Sequence, residues 1–482
     1  MDRRRGGGRG RTAGALGAVV CAAVCGALAV PGGAAWAVGG DGTGAAGARA
    51  GAGGQGYAFE ADAPRVKGAV STLDAERLAD GRTYRDTLAK DGKLYYRVDL
   101  DGERNAYASV VAVPKPGTVA TFADGLKVSM RDGSGTQCGY QNEGFGSGDY
   151  GRPIVAYADR TLKPDSSTCR QAGAYYVLVE RSSKEDSDPG DWELEIRLRT
   201  EPGVKPVGPT KLPEVWASGT PQPPAGGPRR RDGGAGLHEA VSLGQGEWRT
   251  DLRPGRTVFY RVPVDWGQQL FVGAELGSSP AASTYFGGAL ALSLENPAYG
   301  HVDGRQSGYS GGPASMTLDA QRPVAYENRF ASNSRTSAMR FAGWYYLSAT
   351  LSPGLAEAYG DGPLPLTLRV TVRGKAEAGP AYQGDAGPFA VTGDDRDAAE
   401  NGSSVAVPGR EADATLRIVG MAGIGTGTVL LLGLGAWWVL GRRVAAGAGA
   451  GAGAGVGTAV GTGAGPGAGP GGAGGSAGTM PG

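Results

Sequence analysis

This chain of 482 residues contains few histidines and cysteines, and its net charge is close to zero. It contains two histidines, His238 and His301, and four cysteines, of which Cys21 and Cys25 lie in an apolar N-terminal run. The formal net charge is +1, and no basic stripe with interleaved aromatic residues is present. The chain therefore lacks the electrostatic field with which proteins attract nucleic acid or anionic membrane surfaces. We expect no cofactor, no metal site and no nucleic-acid partner.

The sequence contains an internal repeat. Tyr84–Leu100 aligns without a gap on Trp248–Val264 at an offset of 164, and Ala172–Arg199 aligns on Ala342–Arg369 at an offset of 170. The drift between the two offsets indicates insertions in the loops of the second copy. This pattern predicts the tandem duplication of one domain.

Glycine and proline mark the boundaries of the two copies. The 89 glycines and 30 prolines concentrate outside them, and the remaining blocks are each large enough to bury a core. Prolines at the density seen between the blocks favour a semi-rigid polyproline II spacer. We predict a signal peptide at 1–37, a flexible leader at 38–65, a first β-sandwich at 66–200, a Pro-rich linker at 201–236, a second β-sandwich at 237–373, a stalk at 374–416, a transmembrane helix at 417–441 and a disordered Gly/Ala-rich cytoplasmic tail at 442–482.

The hydrophobic period inside both blocks is two residues, which is typical of β-strands. Trp192–Arg199 alternates apolar with charged residues, and Leu94–Leu100 alternates in the same way. Such strands place one face on a core and the other in water. Many of them, separated by Gly, Pro and Asp turns, predict an all-β fold of two tandem antiparallel sandwiches.

Each block also carries a motif that resembles a known family. Ala172–Val179 reads AGAYYVLV and Ala342–Leu347 reads AGWYYL, similar to the "aGtYyv.V" strand of bacterial pre-peptidase C-terminal domains. Leu94–Leu100 and Trp192–Arg199 look like the "yy.f.l" strand and the last strand of that family. The resemblance implies jelly-roll-like sandwiches. Those domains commonly trail a secreted peptidase, and no peptidase module is present here. Asp251–Leu270 also looks like a segment of surface proteins from high-GC Gram-positive bacteria.

The N-terminal segment has the three regions of a secretory signal. The charged stretch MDRRRGGGRGR precedes the apolar run Ala13–Val30, and the small-residue site AWA predicts cleavage after Ala37. Arg3–Arg5 leave the twin-arginine route open beside the general secretory route. An uncleaved anchor helix is the alternative to a cleaved signal.

A second apolar segment lies near the C-terminus. Ile418–Leu440 is uncharged, and a helix of this length spans about 34 Å, enough for a hydrocarbon core of about 30 Å. Trp437 and Trp438 form an aromatic belt, and Arg442 and Arg443 follow as a cytoplasmic stop. We predict a single-pass cell-membrane protein with an extracellular N-terminal region and a cytoplasmic tail.

Cys138 and Cys169 are the cysteines that remain after removal of the signal peptide. In an extracellular domain two cysteines most simply form a disulfide, and closing a loop of about 30 residues stabilises by roughly 3–4 kcal/mol in the chain-entropy model. The second copy lacks both cysteines, so this disulfide is an addition to the fold and not its basis.

Three further patterns resemble reactive or metal-binding sites. Gly308–Gly312 matches the G-x-S-x-G nucleophile elbow, but Pro313 follows where a helix is needed, so we predict a glycine-rich loop. Asp132–Thr136 resembles a metal-adhesion motif, yet it aligns on a turn at Asn296, so we predict a hairpin turn. The acidic loop Glu185–Asp191 lacks the spacing of a calcium loop, which favours a solvated turn.

These features predict a surface protein that binds or scaffolds protein or cell-wall partners at the outer face of the membrane. Two linked modules supply avidity, and the stalk supplies reach. Two alternatives stay open, a structural spacer without a specific ligand and a cryptic extracellular hydrolase. Because no Ser/His/Asp or two-carboxylate constellation stands out, we do not expect an enzyme. The residues do not identify the ligand.

Overall fold

A computed structural model of the chain describes residues 56–163, 166–205, 211–214, 216–219, 221–224, 226–279 and 284–402. All of these residues fall in a single unit of mutual contacts. No helix among them is long and apolar enough to cross a membrane. The predicted features at Ala37, the span at 417–441, the stop at Trp437, Trp438, Arg442 and Arg443, and the tail lie outside the described residues.

Lobe 1 is a sandwich of two antiparallel sheets. Its strands are β1 (Thr83–Leu88), β2 (Lys93–Leu100), β3 (Asn105–Val113), β4 (Gly125–Asp132), β5 (Gln137–Gly144), β6 (Ile154–Arg160), β7 (Gly173–Ser182) and β8 (Trp192–Glu201). Sheet A1 has the order β1-β8-β3-β6, and sheet B1 has the order β2-β7-β4-β5. Alternate residues of these strands, such as Leu194 and Ile196, meet between the sheets and form the core.

Lobe 2 repeats this plan with additional edge strands. Its strands are β9 (Pro228–Arg230), β10 (Val241–Ser242), β11 (Gly246–Leu252), β12 (Thr257–Val264), β13 (Gln269–Leu276), β14 (Phe286–Glu295), β15 (His301–Tyr309), β16 (Ala314–Thr317), β17 (Gly343–Leu351) and β18 (Leu364–Arg373). Sheet A2 has the order β16-β13-β18-β11-β9, and sheet B2 has the order β10-β12-β17-β14-β15. The helices are short: 3-10 turns at Tyr326–Phe330 and Gly387–Phe389, α1 (Ser334–Ala338), α2 (Leu355–Tyr359) and α3 (Gly393–Asn401).

The two lobes share one topology. Strands β11 to β18 occupy the positions of β1 to β8 in the same order, and each set divides into two sheets as in a jelly roll. The prediction of two tandem β-sandwiches is therefore confirmed.

The two lobes also share their strand register, residue by residue, in the strands that the repeat covers. A β-bulge between Met130 and Arg131 in lobe 1 recurs between Leu294 and Glu295 in lobe 2, at the predicted offset of 164. The pairing of β2 with β7 is reproduced by β12 with β17 at offsets of 164 and 170. Both copies therefore kept the irregularities of the original domain as well as its strands.

The closing strand is displaced from the sequence alignment by two residues. Leu88 pairs with Trp192 in lobe 1, and Leu252 pairs with Leu364 in lobe 2, so the offset of the last strand is 172 and not 170. Helix α2 lies in the loop before β18 and takes up the extra length. Because side chains alternate with a period of two, the same faces still point inward.

The AG-x-YY motif has a structural reason. Gly173 and Gly343 open β7 and β17 with φ angles of +151° and +135°, which residues with side chains rarely adopt. Tyr175 and Tyr345 are buried, and each donates a hydrogen bond to the backbone carbonyl four residues earlier, at 2.7 Å and 2.9 Å. This arrangement resembles the tyrosine corner of other sandwiches.

The two sandwiches pack directly on each other. Val111 and Val155, on the outer face of sheet A1, share a buried cluster with Phe259 on the outer face of sheet B2. Tyr299, from the turn between β14 and β15, belongs to the same cluster. Four β-layers are therefore stacked.

This packing corrects the expectation for β8. The alternation of Trp192–Arg199 predicts that its charged side chains lie in water, whereas Glu195 is 1% exposed. Glu201, two residues beyond this segment on the same face of β8, is fully buried. The guanidinium of Arg197 lies 4.1 Å from the centroid of the Tyr299 ring of lobe 2. The alternation shows which face is charged, but it cannot show that another domain covers that face.

Three segments predicted to be tethers are packed on the lobes where the structure describes them. In the leader, the Tyr57 hydroxyl donates to Glu195 at 3.1 Å. In the linker, β9 pairs with β11. In the stalk, Asp395 of α3 accepts a hydrogen bond from the Trp344 indole at 2.9 Å, and Arg396 pairs with Asp265 at 2.6 Å. These parts are not free spacers, because each contributes side chains to the folded surface.

The predicted disulfide between Cys138 and Cys169 is present. It joins β5 to the loop before β7, so it closes a loop within lobe 1. Lobe 2 has no cysteine, and it forms the same sandwich without a disulfide.

Replacing both cysteines by serine is expected to lower the free energy of unfolding of lobe 1 by about 3 kcal/mol, because the unfolded chain regains loop entropy. Hydrogen exchange should show faster opening of β5 and β7, with β15 and β17 of lobe 2 as the internal control. Equal protection of both lobes before and after the replacement would contradict this prediction.

Candidate functional site

A buried ion pair links the lobes. Arg329 donates through Nη1 and Nη2 to the two carboxylate oxygens of Glu201 at 2.8 Å and 2.7 Å. Asn105, Tyr107 and Tyr382 donate to the same carboxylate at 2.8 Å, 2.7 Å and 2.7 Å. Burial raises the pKa of Glu201, but the charge of Arg329 and these hydrogen bonds bring the pKa below its ordinary value. The carboxylate therefore stays ionised, and its lone pairs are satisfied.

An aromatic cluster packs beside this ion pair. The Phe341 ring of lobe 2 stacks on Phe389 at 4.6 Å between centroids and meets the edge of Tyr107 of lobe 1 at 4.9 Å. Tyr157 of β6 belongs to the same buried cluster. Phe389 lies in the segment before α3 and contacts Phe341 of lobe 2 and Tyr107 of lobe 1. This segment therefore crosses the interface and helps to fix both lobes. The lobes are therefore held in one orientation by apolar packing and by directional hydrogen bonds.

A polar cleft of about 360 Å³ opens between the lobes. Lobe 1 supplies Glu143 from β5 and Arg152 from the loop before β6. Lobe 2 supplies Ser293 from β14 and His301 and Gln306 from β15. These outward-facing side chains come together only because β5 lies against the outer side of sheet B2.

Side-chain amides seal the seam along the cleft. Gln141 of β5 both donates to the His301 carbonyl and accepts from the His301 N–H, each at 3.2 Å. Gln306 of β15 donates to the Phe145 carbonyl at 2.7 Å and accepts from the Ser147 hydroxyl at 2.8 Å. Each glutamine therefore binds the backbone of the opposite lobe. Neither lobe forms the cleft alone.

The titratable groups in and next to the cleft are shifted by burial. Burial raises the pKa of Glu143 to about 7 and that of Glu295 to about 8. Burial and the nearby Arg152 lower the pKa of His301 to about 4. Ser293 donates to Glu295, and its hydroxyl lies 3.3 Å from His301 Nδ1. Near pH 7 the imidazole is neutral, and both carboxyl groups hold protons for a substantial fraction of the time.

Replacing Glu295 by glutamine is expected to stabilise the protein at alkaline pH. The folded-state pKa of about 8 lies above the ordinary 4.5, so the stabilising contribution is present below pH 4.5 and is lost as the pH rises through 8. The variant lacks this loss, so at pH 9 it should exceed the parent by on the order of 4–5 kcal/mol, and at pH 4.5 the two should be nearly equal. Chemical denaturation across this range tests the difference, and parallel curves for both proteins would contradict it.

The sequence motifs lie elsewhere. Gly308 and Tyr309 end strand β15, and β16 begins at Ala314, so the predicted loop is confined to Ser310–Pro313 and the helix required by a nucleophile elbow is missing. Asp132 accepts from the backbone N–H groups of Ser134 and Thr136, which confirms the hairpin turn between β4 and β5. In the part of the chain that the structure describes, no three His, Cys, Asp or Glu side chains are grouped to hold a metal.

Sequence reasoning did not find the cleft. Glu143 and His301 lie far apart in the chain and belong to no motif, and the face that carries them looks solvated in both copies. One signal was available, because Glu295 stands where lobe 1 has Arg131. A substitution of opposite charge at one register position shows that the two faces have different surroundings.

No protein-family model matches the chain, and no curated protein matches it. Among solved structures, the N-terminal CBM22 tandem domain of Paenibacillus barcinonensis Xyn10C is 12% identical with a TM-score of 0.16, covering 62% of this chain and 93% of that one. Tripeptidyl peptidase 2 is 9% identical with a TM-score of 0.19, and the match covers 61% of this chain but 24% of that one. The tandem CBM51 modules of a family 98 glycoside hydrolase from Streptococcus pneumoniae are 8% identical with a TM-score of 0.16, covering 60% and 84%. TM-scores of this size carry no argument about function.

Proposed function

We propose that this chain is an exported, single-span surface protein whose two sandwiches act as one binding unit for a cell-wall or protein partner. The inter-lobe cleft is its ligand site, and this cleft is the observation that carries the proposal. It combines hydrogen-bonding side chains from both lobes with the concave shape and volume of a small-ligand site. The sandwiches are proposed to be of the pre-peptidase C-terminal type, in a surface protein of the high-GC Gram-positive kind.

Export is supported by chemistry that the described residues contain. The bond between Cys138 and Cys169 suits an oxidising compartment, since disulfides rarely persist in the cytosol. The charged and apolar regions before Ala37 and the apolar segment Ile418–Leu440 are consistent with that compartment. On this proposal the lobes face outward and the Gly/Ala-rich tail faces the cytoplasm.

The manner of binding differs from the one that the sequence predicts. Two modules on a spacer would bind independently and gain avidity, whereas the ion pair and the aromatic cluster hold these lobes in one arrangement. The composite cleft replaces avidity as the source of affinity. Tyr57 also bridges the lobes, because it donates to Glu195 of lobe 1 and its ring meets Phe259 of lobe 2 at 5.5 Å. A separated lobe therefore loses part of the interface and half of the cleft.

Capture of partners on intact cells tests this proposal. Cells displaying the full chain should retain a wall or surface component after mild crosslinking, and Glu143→Leu should lose most of it. Asn142→Leu is the matched control, because Asn142 is the exposed neighbour on the same strand and does not line the cleft. Absence of capture by all three proteins would favour a structural spacer, and equal capture by all three would show that the partner binds outside the cleft. Release of cleaved wall fragments by the parent chain alone would favour the hydrolase.

A further inference from the structure

The polar lining of the cleft argues against an apolar ligand. Most of its side chains are hydroxyls, an amide, an imidazole, guanidinium groups and a carboxyl group; Ala291, Leu292 and several glycines complete the lining, and no Phe, Tyr or Trp ring belongs to it. A lipid or an aromatic ligand would find little apolar surface here, and its arrival would strip water from these polar groups without replacing their hydrogen bonds. The ligand must therefore carry hydrogen-bonding groups on most of its surface.

Charges of both signs face the cleft. Arg152 opposes Glu143, and each alters the pKa of the other. Arg305 is already paired with Asp319 outside the cleft. A cation would be repelled by Arg152, and an anion would be repelled by Glu143 whenever that carboxyl group is ionised, which is about half of the time at pH 7. These opposing charges favour a ligand without net charge.

Hydrogen-bonding capacity is left over on both walls. The Glu143 carboxyl group stands 3.8 Å from His301 Nδ1 and makes no hydrogen bond to a described residue. His301 is neutral near pH 7, because burial and the nearby Arg152 lower its pKa to about 4, so its imidazole offers one donor and one acceptor. Displacing water from these partly exposed groups without replacing its hydrogen bonds costs about 1–3 kcal/mol each, so a ligand that enters the cleft needs hydroxyl groups to replace them.

We propose that the cleft binds a neutral saccharide, with adjacent hydroxyl groups hydrogen-bonded to Glu143 from lobe 1 and to His301 from lobe 2. This inference rests on the proposed function and names the ligand class of the same site. A sugar hydroxyl donates one hydrogen bond and accepts others, so neighbouring hydroxyls on one ring match a carboxyl group, an imidazole and a guanidinium group together. The rigid interface holds the two walls at a fixed separation, which lets the cleft discriminate among sugar stereoisomers.

Titration of the full chain in nanodiscs tests the ligand class directly. The neutral probes are hexoses, pentoses and N-acetylhexosamines with their disaccharides. The charged counterparts are glucosamine and glucuronic acid. Binding of each sugar is measured by isothermal titration calorimetry. We expect at least one neutral sugar to bind and both charged counterparts to bind at least about tenfold more weakly. Tighter binding of glucosamine than of every neutral sugar would overturn the proposal in favour of a cationic ligand.

Variants of Glu143 separate recognition from folding. Glu143→Leu should raise the dissociation constant for the neutral sugar by about tenfold or more. Glu143→Gln keeps the size and the hydrogen-bonding capacity of the side chain, so its dissociation constant should stay within about threefold of that of the parent. Asn142→Leu should bind as the parent does. If no neutral sugar binds while capture on cells still depends on Glu143, the proposed function stands and the saccharide assignment fails. If neither is observed, both fail.

Discussion

Replacement of Glu201 by alanine is expected to lower the free energy of unfolding by about 3–5 kcal/mol, because it leaves Arg329 as an uncompensated charge in the interface. Both side chains are essentially inaccessible to solvent, so water cannot replace the lost partner. The variant also strips an acceptor from Tyr107 and Tyr382. Denaturant titration should show one transition in the parent and two in the variant, since the lobes no longer unfold together.

An exposed ion pair supplies the control for this effect. Arg305 pairs with Asp319, and both side chains are more than two-fifths exposed, at 47% and 41%. Arg305→Ala should therefore cost no more than about 1 kcal/mol. The combination of Glu201→Ala with Arg329→Ala should cost less than the sum of the two single changes, because the second change removes the stranded charge. Additive losses would show that the two residues are not coupled.

Phe341→Ala is expected to lower the free energy of unfolding by about 3–5 kcal/mol, through the cavity it opens among Tyr107, Tyr157 and Phe389. The ring is fully buried and touches both lobes as well as the segment before α3. Without this cluster we expect the lobes to move independently. Small-angle X-ray scattering should then give a larger radius of gyration for the variant than for the parent. An unchanged scattering profile at the same loss of stability would show that the cluster supports lobe 2 alone.

Phe122→Ala is the corresponding control. This side chain is 74% exposed in the loop between β3 and β4. Its removal should change the free energy of unfolding by less than about 0.5 kcal/mol and leave the scattering profile as in the parent. A comparable loss at both positions would mean that aromatic content, and not the interface, determines the stability.

The interface joins the outer face of sheet A1 in lobe 1 to the outer face of sheet B2 in lobe 2. A head-to-tail contact of this kind can continue indefinitely if each copy offers both faces. In lobe 2 the register places Glu275 where lobe 1 has Val111, and Ser315 where lobe 1 has Val155. These polar replacements leave sheet A2 with a solvated outer face, on which Arg369 pairs with Glu275 at 3.0 Å.

Much of the architecture could be predicted from the residues because it rests on local regularities. A period of two places Leu194 and Ile196 in a core wherever the strand lies, and the shared motif at Gly173 and Gly343 marks the same strand in each copy. The disulfide between Cys138 and Cys169 could be predicted from the cysteine count once the signal peptide had been assigned to the first 37 residues. The error in the register of the last strand arose because an insertion before β18 has no signature in the pattern of alternation.

The cleft could not be predicted, because nothing in the linear sequence states which faces of the two copies meet. Glu143 and His301 approach each other because the packing of sheet A1 on sheet B2 also brings the edge strand β5 of sheet B1 against β15. The surfaces involved look solvated when each copy is considered alone. The same packing turns the charged face of β8 into the buried partner of Arg329.

By itself, the amino-acid sequence determined that the chain is duplicated, that each copy is a β-sandwich and that lobe 1 carries the only disulfide among the described residues. Tertiary structure alone decided that the copies form one stacked unit with a shared polar cleft, and that residues expected to be tethers belong to it. The reason is physical: hydrophobic periodicity reports the face that a strand buries within its own domain. The burial of a second, charged face depends on partners such as Glu201 and Arg329, which lie more than a hundred residues apart and meet only after both lobes have folded.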